Sequence, residues 1–328
     1  KNATTARVGG SVEGDSLEGG DSGNVPFAGV PFPIPKTGYE VMWNHAVHYS
    51  AAVCMFTGSS LTVDANGNPS EPTVADDYWV YPWYDRSGEL RRQTANSIFV
   101  FKATLISPPV KSGGAFLTHY PANMAPGPKA WFYTPGQRRV RLAPDFTYDS
   151  FISEGVYWDE LGGYLGRLDR FQFTLRGKRE MLVPYNVFGV TNTLKTADSL
   201  GRKFIKPEAV RWEQHRVWVV DAARKPGASH QVARRTYYVD EDCWCVTQVD
   251  AYDDAGKPMR VGHVFSFPSY GSGGINTTSW VVYDLVKGAY YPFDIGYGEE
   301  GRYVRDFDSV ESMNIGLTPQ SIMGSSVR

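Results

Sequence analysis

The sharpest helical signal lies near residue 40. Thr37-Gly38-Tyr39-Glu40 carries the Thr-x-x-Glu spacing of a capping box, which satisfies two free amide donors at a helix start. Val41, Met42, His45, Ala46 and Tyr49 then recur every three to four residues and predict one apolar helical face. Beyond this point the pattern turns to β. The run Ser97 to Ile106 reads as a strand closed by Ser107-Pro108-Pro109. Lys129 to Tyr133 and Arg138 to Leu142 flank Thr134-Pro135-Gly136-Gln137, whose Pro-Gly pair predicts a type II turn. The most regular stretch spans residues 215 to 266. There Val217 to Ala222, Gln231 to Val239, Trp244 to Tyr252 and Met259 to Phe265 alternate with turns at Lys225-Pro226-Gly227, Asp240-Glu241-Asp242 and Asp253-Asp254-Ala255-Gly256. Consecutive strands on short polar turns predict an antiparallel meander.

Both faces of these strands carry apolar groups. Arg235, Tyr237 and Val239 share one face, and Val232 and Tyr238 the other; Val217 and Val219 oppose Trp218, Val220 and Ala222. A meander open to water on one side would not show this. Either a strongly curved sheet covered by helices or a ligand cavity on one face explains it. No fixed-period repeat emerges. Residues 1–25 are rich in Gly and poor in large apolar groups, which predicts an extended or loosely docked arm ahead of a single domain over 26–328. Val30-Pro31-Phe32-Pro33-Ile34-Pro35 adds rigid, extended backbone suited to a surface groove.

Composition reinforces the β reading. The 328 residues are 14% aromatic, with 34 Gly and 21 Pro. The formal net charge of −2 removes the simplest case for nucleic acid, which needs a basic stripe. No segment approaches the roughly 18 apolar residues of a membrane span. The chain begins at Lys1 without a signal peptide, so a targeting segment is expected to have been removed or never present. Cys243-Trp244-Cys245 reads as two half-buried thiols on one strand face, with the oxidation state left open, and a zinc reading lacks a second ligand pair.

Catalytic chemistry finds no motif. Gly-x-Ser-x-Gly, a phosphate-cradling loop and His-Glu-x-x-His are all missing from the sequence. His45 and His48, three apart on the first helix, read as packing or capping residues rather than metal ligands. The carboxylate pairs Asp76-Asp77, Asp240-Asp242, Asp253-Asp254 and Glu299-Glu300 read as solvated turn residues. No cofactor, metal or catalytic residue is expected. In Arg138-Arg139-Val140-Arg141, alternation puts Arg139 and Arg141 on one face, where they read either as solvated strand cations or as contacts for an anion such as a lipid headgroup.

Several blocks together resemble the bacterial domain of unknown function 1329 family: Gly29-Val30-Pro31-Phe32-Pro33-Ile34-Pro35 with Glu40-Val41-Met42-Trp43-Asn44-His45, then Trp131 to Arg141, Gly177 to Asn186, His215 to Val220 and Arg235 to Asp242. They run in order from residue 29 to about 252. The resemblance implies an α+β, mostly β fold similar to the lipoprotein carrier LolA and its receptor LolB: a large curved antiparallel sheet, an incomplete barrel, with helices plugging its concave face. It further implies an exported Gram-negative protein of the periplasm or outer-membrane periphery. The function implied is non-enzymatic carriage of a lipid, lipoprotein acyl chain or other hydrophobic molecule, in company with an exporter of the resistance-nodulation-division class.

The physics agrees, since each buried CH₂ contributes about 0.8 kcal/mol to holding an acyl chain. Strand faces nominate Phe99, Phe101, Trp131, Tyr133, Phe171, Phe173, Trp218 and Tyr237 as cavity-lining candidates. The alternatives are a structural adaptor docking to an exporter without cargo, and an enzyme on lipids or glycans whose carboxylates only the fold brings together.

Overall fold

The structure, a computed structural model, describes residues 5–10, 14–19, 29–95, 97–143, 148–153, 155–308 and 315–323. A short hairpin, β1 (Arg7–Gly9) and β2 (Ser16–Glu18), precedes helix α1 (Gly38–Ala46). Strands β3 (Val53–Ser60), β4 (Thr73–Val80), β5 (Ser97–Ser107), β6 (Ala115–Pro121), β7 (Lys129–Thr134) and β8 (Arg139–Leu142) follow, with helix α2 (Glu89–Gln93) between β4 and β5. A second small hairpin, β9 (Phe151–Ser153) and β10 (Val156–Tyr157), leads into a helical turn at Trp158–Gly163. Then come β11 (Phe171–Pro184), helix α3 (Thr196–Ser199), β12 (Trp212–Arg224), β13 (Arg234–Asp240), β14 (Val246–Tyr252), β15 (Pro258–Ser269), β16 (Gly274–Asp284), β17 (Ala289–Phe293) and β18 (Tyr303–Phe307).

These form two seven-stranded antiparallel sheets. One runs β18-β3-β4-β5-β6-β7-β8, the other β11 to β17 in simple chain order. Strands β12 to β15 of the second are the meander expected from its turn chemistry, which β11, β16 and β17 extend. The sheets are stitched where residues 59–63, running on from β3, pair with residues 290–295: Ser59 N–H donates to Ile295 O at 2.9 Å and Val63 N–H to Tyr290 O at 2.9 Å, each reciprocated. Among the described strands nothing joins β8 to β11, so the curved surface is not closed into a barrel.

Two segments fill the space between the sheets. Helix α1 starts as its sequence predicts, with Glu40 N–H donating to Thr37 Oγ1 at 3.2 Å. It is not one-faced, however: Tyr39, Val41, Met42, Trp43, Asn44 and His45 are all buried, while Tyr49 lies beyond the helix end. A helix buried on nearly every side is an interior plug. Gly38 permits the fit, because a Cβ there would come within 2.6 Å of the Phe173 backbone. The turn at 158–163 is the second plug, adding Trp158 and Leu161 to a core shared with Trp79, Phe99 and Tyr120 of one sheet and Phe171, Phe173, Tyr237 and Trp280 of the other. Each such side chain contributes roughly 1.5–3 kcal/mol by leaving water.

The outer faces are covered too. Val187, Val190, Ile205 and Ala209 pack on Phe265, Val281 and Tyr290. Leu317 and Ile322 pack on Val53, Val80, Val100 and Leu117. Helical and irregular cover on the convex side therefore accounts for the apolar outer positions of β3–β6 and β15–β17.

Several expectations are corrected. The described part of residues 1–25 is a docked hairpin, with Asp15 and Leu17 buried and Leu17 N–H bonded to Ala122 O; the rest lies outside the described residues. The 134–137 hairpin closes through a 3₁₀ turn at Pro135–Gln137, with Arg138 rather than Gly136 in the left-handed region (φ 48°). Cys243 and Cys245 do not share a strand face. They bracket Trp244, itself left-handed (φ 59°), in the β13–β14 turn, and they are disulfide-bonded. Asp76-Asp77 is not a turn but part of β4.

A candidate ligand cleft

Half of the concave face of the β3–β8 sheet is left uncovered by the plugs. Along β4 the inward positions are Thr73, Ala75, Asp77 and Trp79, and the last of these enters the core. Along β5 they are Phe99, in the core, then Phe101, Ala103 and Leu105. Where the large core side chains stop, a cleft of about 690 Å³ begins, within the usual size range of small-molecule sites. Phe101, Phe116, Phe132 and Phe293 supply apolar wall, and Trp158 from the second plug closes it off from the core. The aromatic walls interlock: Phe116 meets Phe132 with centroids 4.6 Å apart and Trp158 at 4.8 Å. Pro108, Val110, Lys111 and Pro135 border it on the loop side.

The inner end of this apolar cleft is acidic. Asp77 from β4 and Asp294, just after β17, both line it and both are only 4% exposed. Asp294 is held by Ser60, whose hydroxyl donates to its Oδ1 at 3.2 Å and accepts its backbone N–H at 3.0 Å. Ser279 donates to its backbone carbonyl. Its backbone is left-handed (φ 51°) and lies so close to β3 that a Cβ on Gly58 would come within 2.6 Å of its Cα. The two carboxyls stand together at this end of the cleft, where a proton shared between them would relieve their repulsion. Burial, then the charges of Asp294 and Asp76, push Asp77 well above the ordinary carboxylate range. Burial pushes Asp294 up to about 7, against the pull of its Ser60 and Asp77 bonds. Asp76 faces the other way, bonded by Thr57 at 2.6 Å and Tyr303 at 3.2 Å. Reading Asp76-Asp77 as a turn hid the alternation that separates them; Asp294 is more than two hundred residues distant and carried no local signal.

Of the cavity candidates, Phe101 lines the cleft. Phe99, Phe171, Phe173 and Tyr237 are packed in the core between sheets and plugs. Trp131 and Tyr133 pack with the opposite, outer-face cluster, Tyr133 also bordering the cleft. Trp218 packs against the margin of the core between the sheets, stacked on Trp244 with centroids 6.1 Å apart and covered by Lys178. Arg139 and Arg141 are exposed on the edge strand, paired with Thr134 and Phe132 and so on the side of the sheet that holds the cleft.

The two helical histidines are buried inside the plug. Val246 N–H donates to His45 Nδ1 at 3.2 Å, which leaves Nε2–H to donate to Tyr164 O at 3.1 Å. His45 is thus neutral and keys α1 to β14 and to the second plug. Burial, aided by neighbouring His48, holds it down at about 3. His215, Asp240 and Asp242 also come together, but Asp240 is already occupied by the His215 ring and by the Asp242 and Cys243 amides that close the β13–β14 turn.

Comparison with known proteins places this architecture. The model of the family described as "Protein of unknown function (DUF1329)" matches residues 1–322. The chain belongs to the DUF1329 family. The uncharacterized protein PA3922 of Pseudomonas aeruginosa is 31% identical over 338 residues, covering all of this chain and 70% of that protein. A DUF1329 protein from Desulfovibrio piger superposes with a TM-score of 0.55 at 14% identity, over 89% of this chain and 98% of that one. A candidate outer membrane lipoprotein-sorting protein domain from Vibrio parahaemolyticus gives 0.53 at 12% identity, over 81% and 91%. At these identities the likeness is one of fold, an open, plugged antiparallel architecture that this DUF1329 chain shares with both.

Proposed function

We propose that this protein is a non-enzymatic carrier that shelters the apolar part of a lipid-like molecule in the cleft of the β3–β8 sheet. The observation that carries the reading is the half-covered concave face. Apolar strand positions that elsewhere meet the plugs are here left open over about 690 Å³. An aliphatic chain entering it would gain about 0.8 kcal/mol per buried CH₂ without polar chemistry. The superposition on a lipoprotein-sorting domain supports the same class of cargo, and the family resemblance supports work in the periplasm beside a resistance-nodulation-division exporter. The test is binding of a neutral apolar dye, 1-N-phenylnaphthylamine, together with mass spectrometry of lipids extracted from protein purified from its own envelope. Saturable binding that native lipid displaces supports carriage; no binding rejects it.

The carboxyl pair favours a second reading, an enzyme acting on lipids or glycans. Its geometry counts against glycoside hydrolysis, which separates its carboxyls by roughly 5 Å or more so that sugar and water fit between them. Here the two carboxyls stand side by side at one end of the cleft.

A further inference from the structure

The acid pair sits where a carrier of plain hydrocarbon would have no use for it. Among the described residues no N–H or O–H group donates to the Asp77 carboxyl, and its Oδ1 is buried without a donor. What it meets is another carboxyl. Buried acids are ordinarily paired with Arg, Lys or His, as Asp159 is paired with Arg235 in this same protein. Among the described residues the one cation lining the cleft is Lys111, on the loop side with its Nζ 3.4 Å from Thr73 Oγ1; Glu71 lies on that side too, Arg139 and Arg141 are exposed on the edge strand, and Asp76 is turned to the opposite face. The inner end of an apolar cleft thus carries two desolvated acids with no counter-ion among the described residues.

We infer that the cleft recognises amphiphiles bearing a primary ammonium head, which seats between the carboxyls of Asp77 and Asp294 while the hydrocarbon lies along Ala75, Phe101, Ala103 and Phe116. This rests on the carrier reading and specifies which end of the cargo is recognised. The ammonium offers three donors to a pair in which Asp77 has none and Asp294 only the Ser60 hydroxyl, and it replaces the proton the pair shares, which leaves to solvent. A fatty-acid carboxylate in the same place would add a third acid to the pair and is excluded by charge.

The test compares dodecylamine, 1-dodecanol and laurate as competitors of bound 1-N-phenylnaphthylamine at neutral pH. Dodecylamine is expected to bind at least about tenfold more tightly than laurate, with dodecanol between them. In Asp77→Asn and Asp294→Asn the preference for dodecylamine over dodecanol and laurate, each measured against the same variant's own dye affinity, falls to within about twofold. Asn tolerates the left-handed backbone at 294 and keeps the Ser60 contacts. Titrations of the unmodified protein in two buffers of different ionisation enthalpy give a readout independent of either variant. Dodecylamine releases a fraction of a proton up to one, and the dye releases none. Equal affinity for the three heads, or amine binding without proton release, overturns the inference while leaving carriage intact. Failure of the dye itself to bind removes both.

Discussion

Asp159 and Arg235 face each other as a two-point ion pair in the interior, Nη1 to Oδ2 at 2.6 Å and Nη2 to Oδ1 at 2.9 Å, each residue only 1% exposed. His230 adds Nε2 to the same Oδ2 at 3.0 Å. Next along the chain, Glu160 takes Arg260 through two contacts of 2.7 Å. Two successive acids of the second plug are thus clamped by two arginines of the meander, which fixes Trp158 at the end of the cleft. Asp159→Asn leaves Arg235 charged and without a counter-ion, so unfolding titrations are expected to lose about 3–5 kcal/mol. Asp159→Asn with Arg235→Met recovers part of that loss, because no unpaired charge remains buried.

The carboxyl pair makes stability depend on pH in the opposite sense to most buried acids. Asp294 titrates near 7 in the folded protein against 3.8 for an ordinary aspartate, so the folded state binds the proton more tightly. Its contribution is fully present below about pH 4 and is lost as pH rises through about 7. Denaturation midpoints of the wild type should therefore fall between about pH 5 and pH 8 relative to Asp294→Asn, which has no proton to lose. Parallel profiles for the two proteins would mean that the pair carries no shared proton.

His45 works the other way. It is held near 3 inside the plug but titrates near 6.5 when unfolded, so its contribution is present above 6.5 and is lost as pH falls toward 3. Replacing it by Phe keeps the ring but leaves the Val246 amide and the Tyr164 carbonyl without partners, at a cost of about 2–4 kcal/mol. The same variant should lose less stability than the wild type on acidification below pH 6.5.

What could be read from the letters depended on how local the determining contacts are. The β12–β15 part of the second sheet was readable because Lys225-Pro226-Gly227 and Asp253 to Gly256 each turn the chain back onto its immediate neighbour. The Thr37 cap was readable for the same reason. The cleft was not. Its inner end depends on residues 59–63 pairing with 290–295, and neither strand pattern indicates that partner. Asp77 could have been separated from Asp76 by the alternation Ala75, Asp77, Trp79, which sets one acid inward among apolar positions. Which core aromatics also face the cleft depends on where two plugs from distant sequence end, so Phe99 and Phe101, neighbours on one face of β5 and members of one core cluster, differ in that Phe101 also lines the cleft.

That difference between neighbours can be measured directly. Ala103 faces the open cleft on β5, one inward position beyond Phe101 and 8% exposed. Ala103→Trp adds a ring where no side chain stands, so it should lower affinity for 1-N-phenylnaphthylamine by at least about tenfold with little change in stability, the new bulk entering space rather than a packed wall. Phe173, on β11, is buried against α1, its ring 5.3 Å from that of Tyr39. Phe173→Ala removes that packing and should cost about 3–5 kcal/mol, yet the protein that remains folded should bind the dye with unchanged affinity. If both substitutions weakened dye binding alike, the ligand space would extend into the volume the plugs occupy, which would require α1 to move aside when cargo enters. If neither did, the dye would be bound elsewhere on the surface. The expected split, one variant losing affinity and the other losing stability, assigns cargo to the half of the concave face that the plugs leave bare.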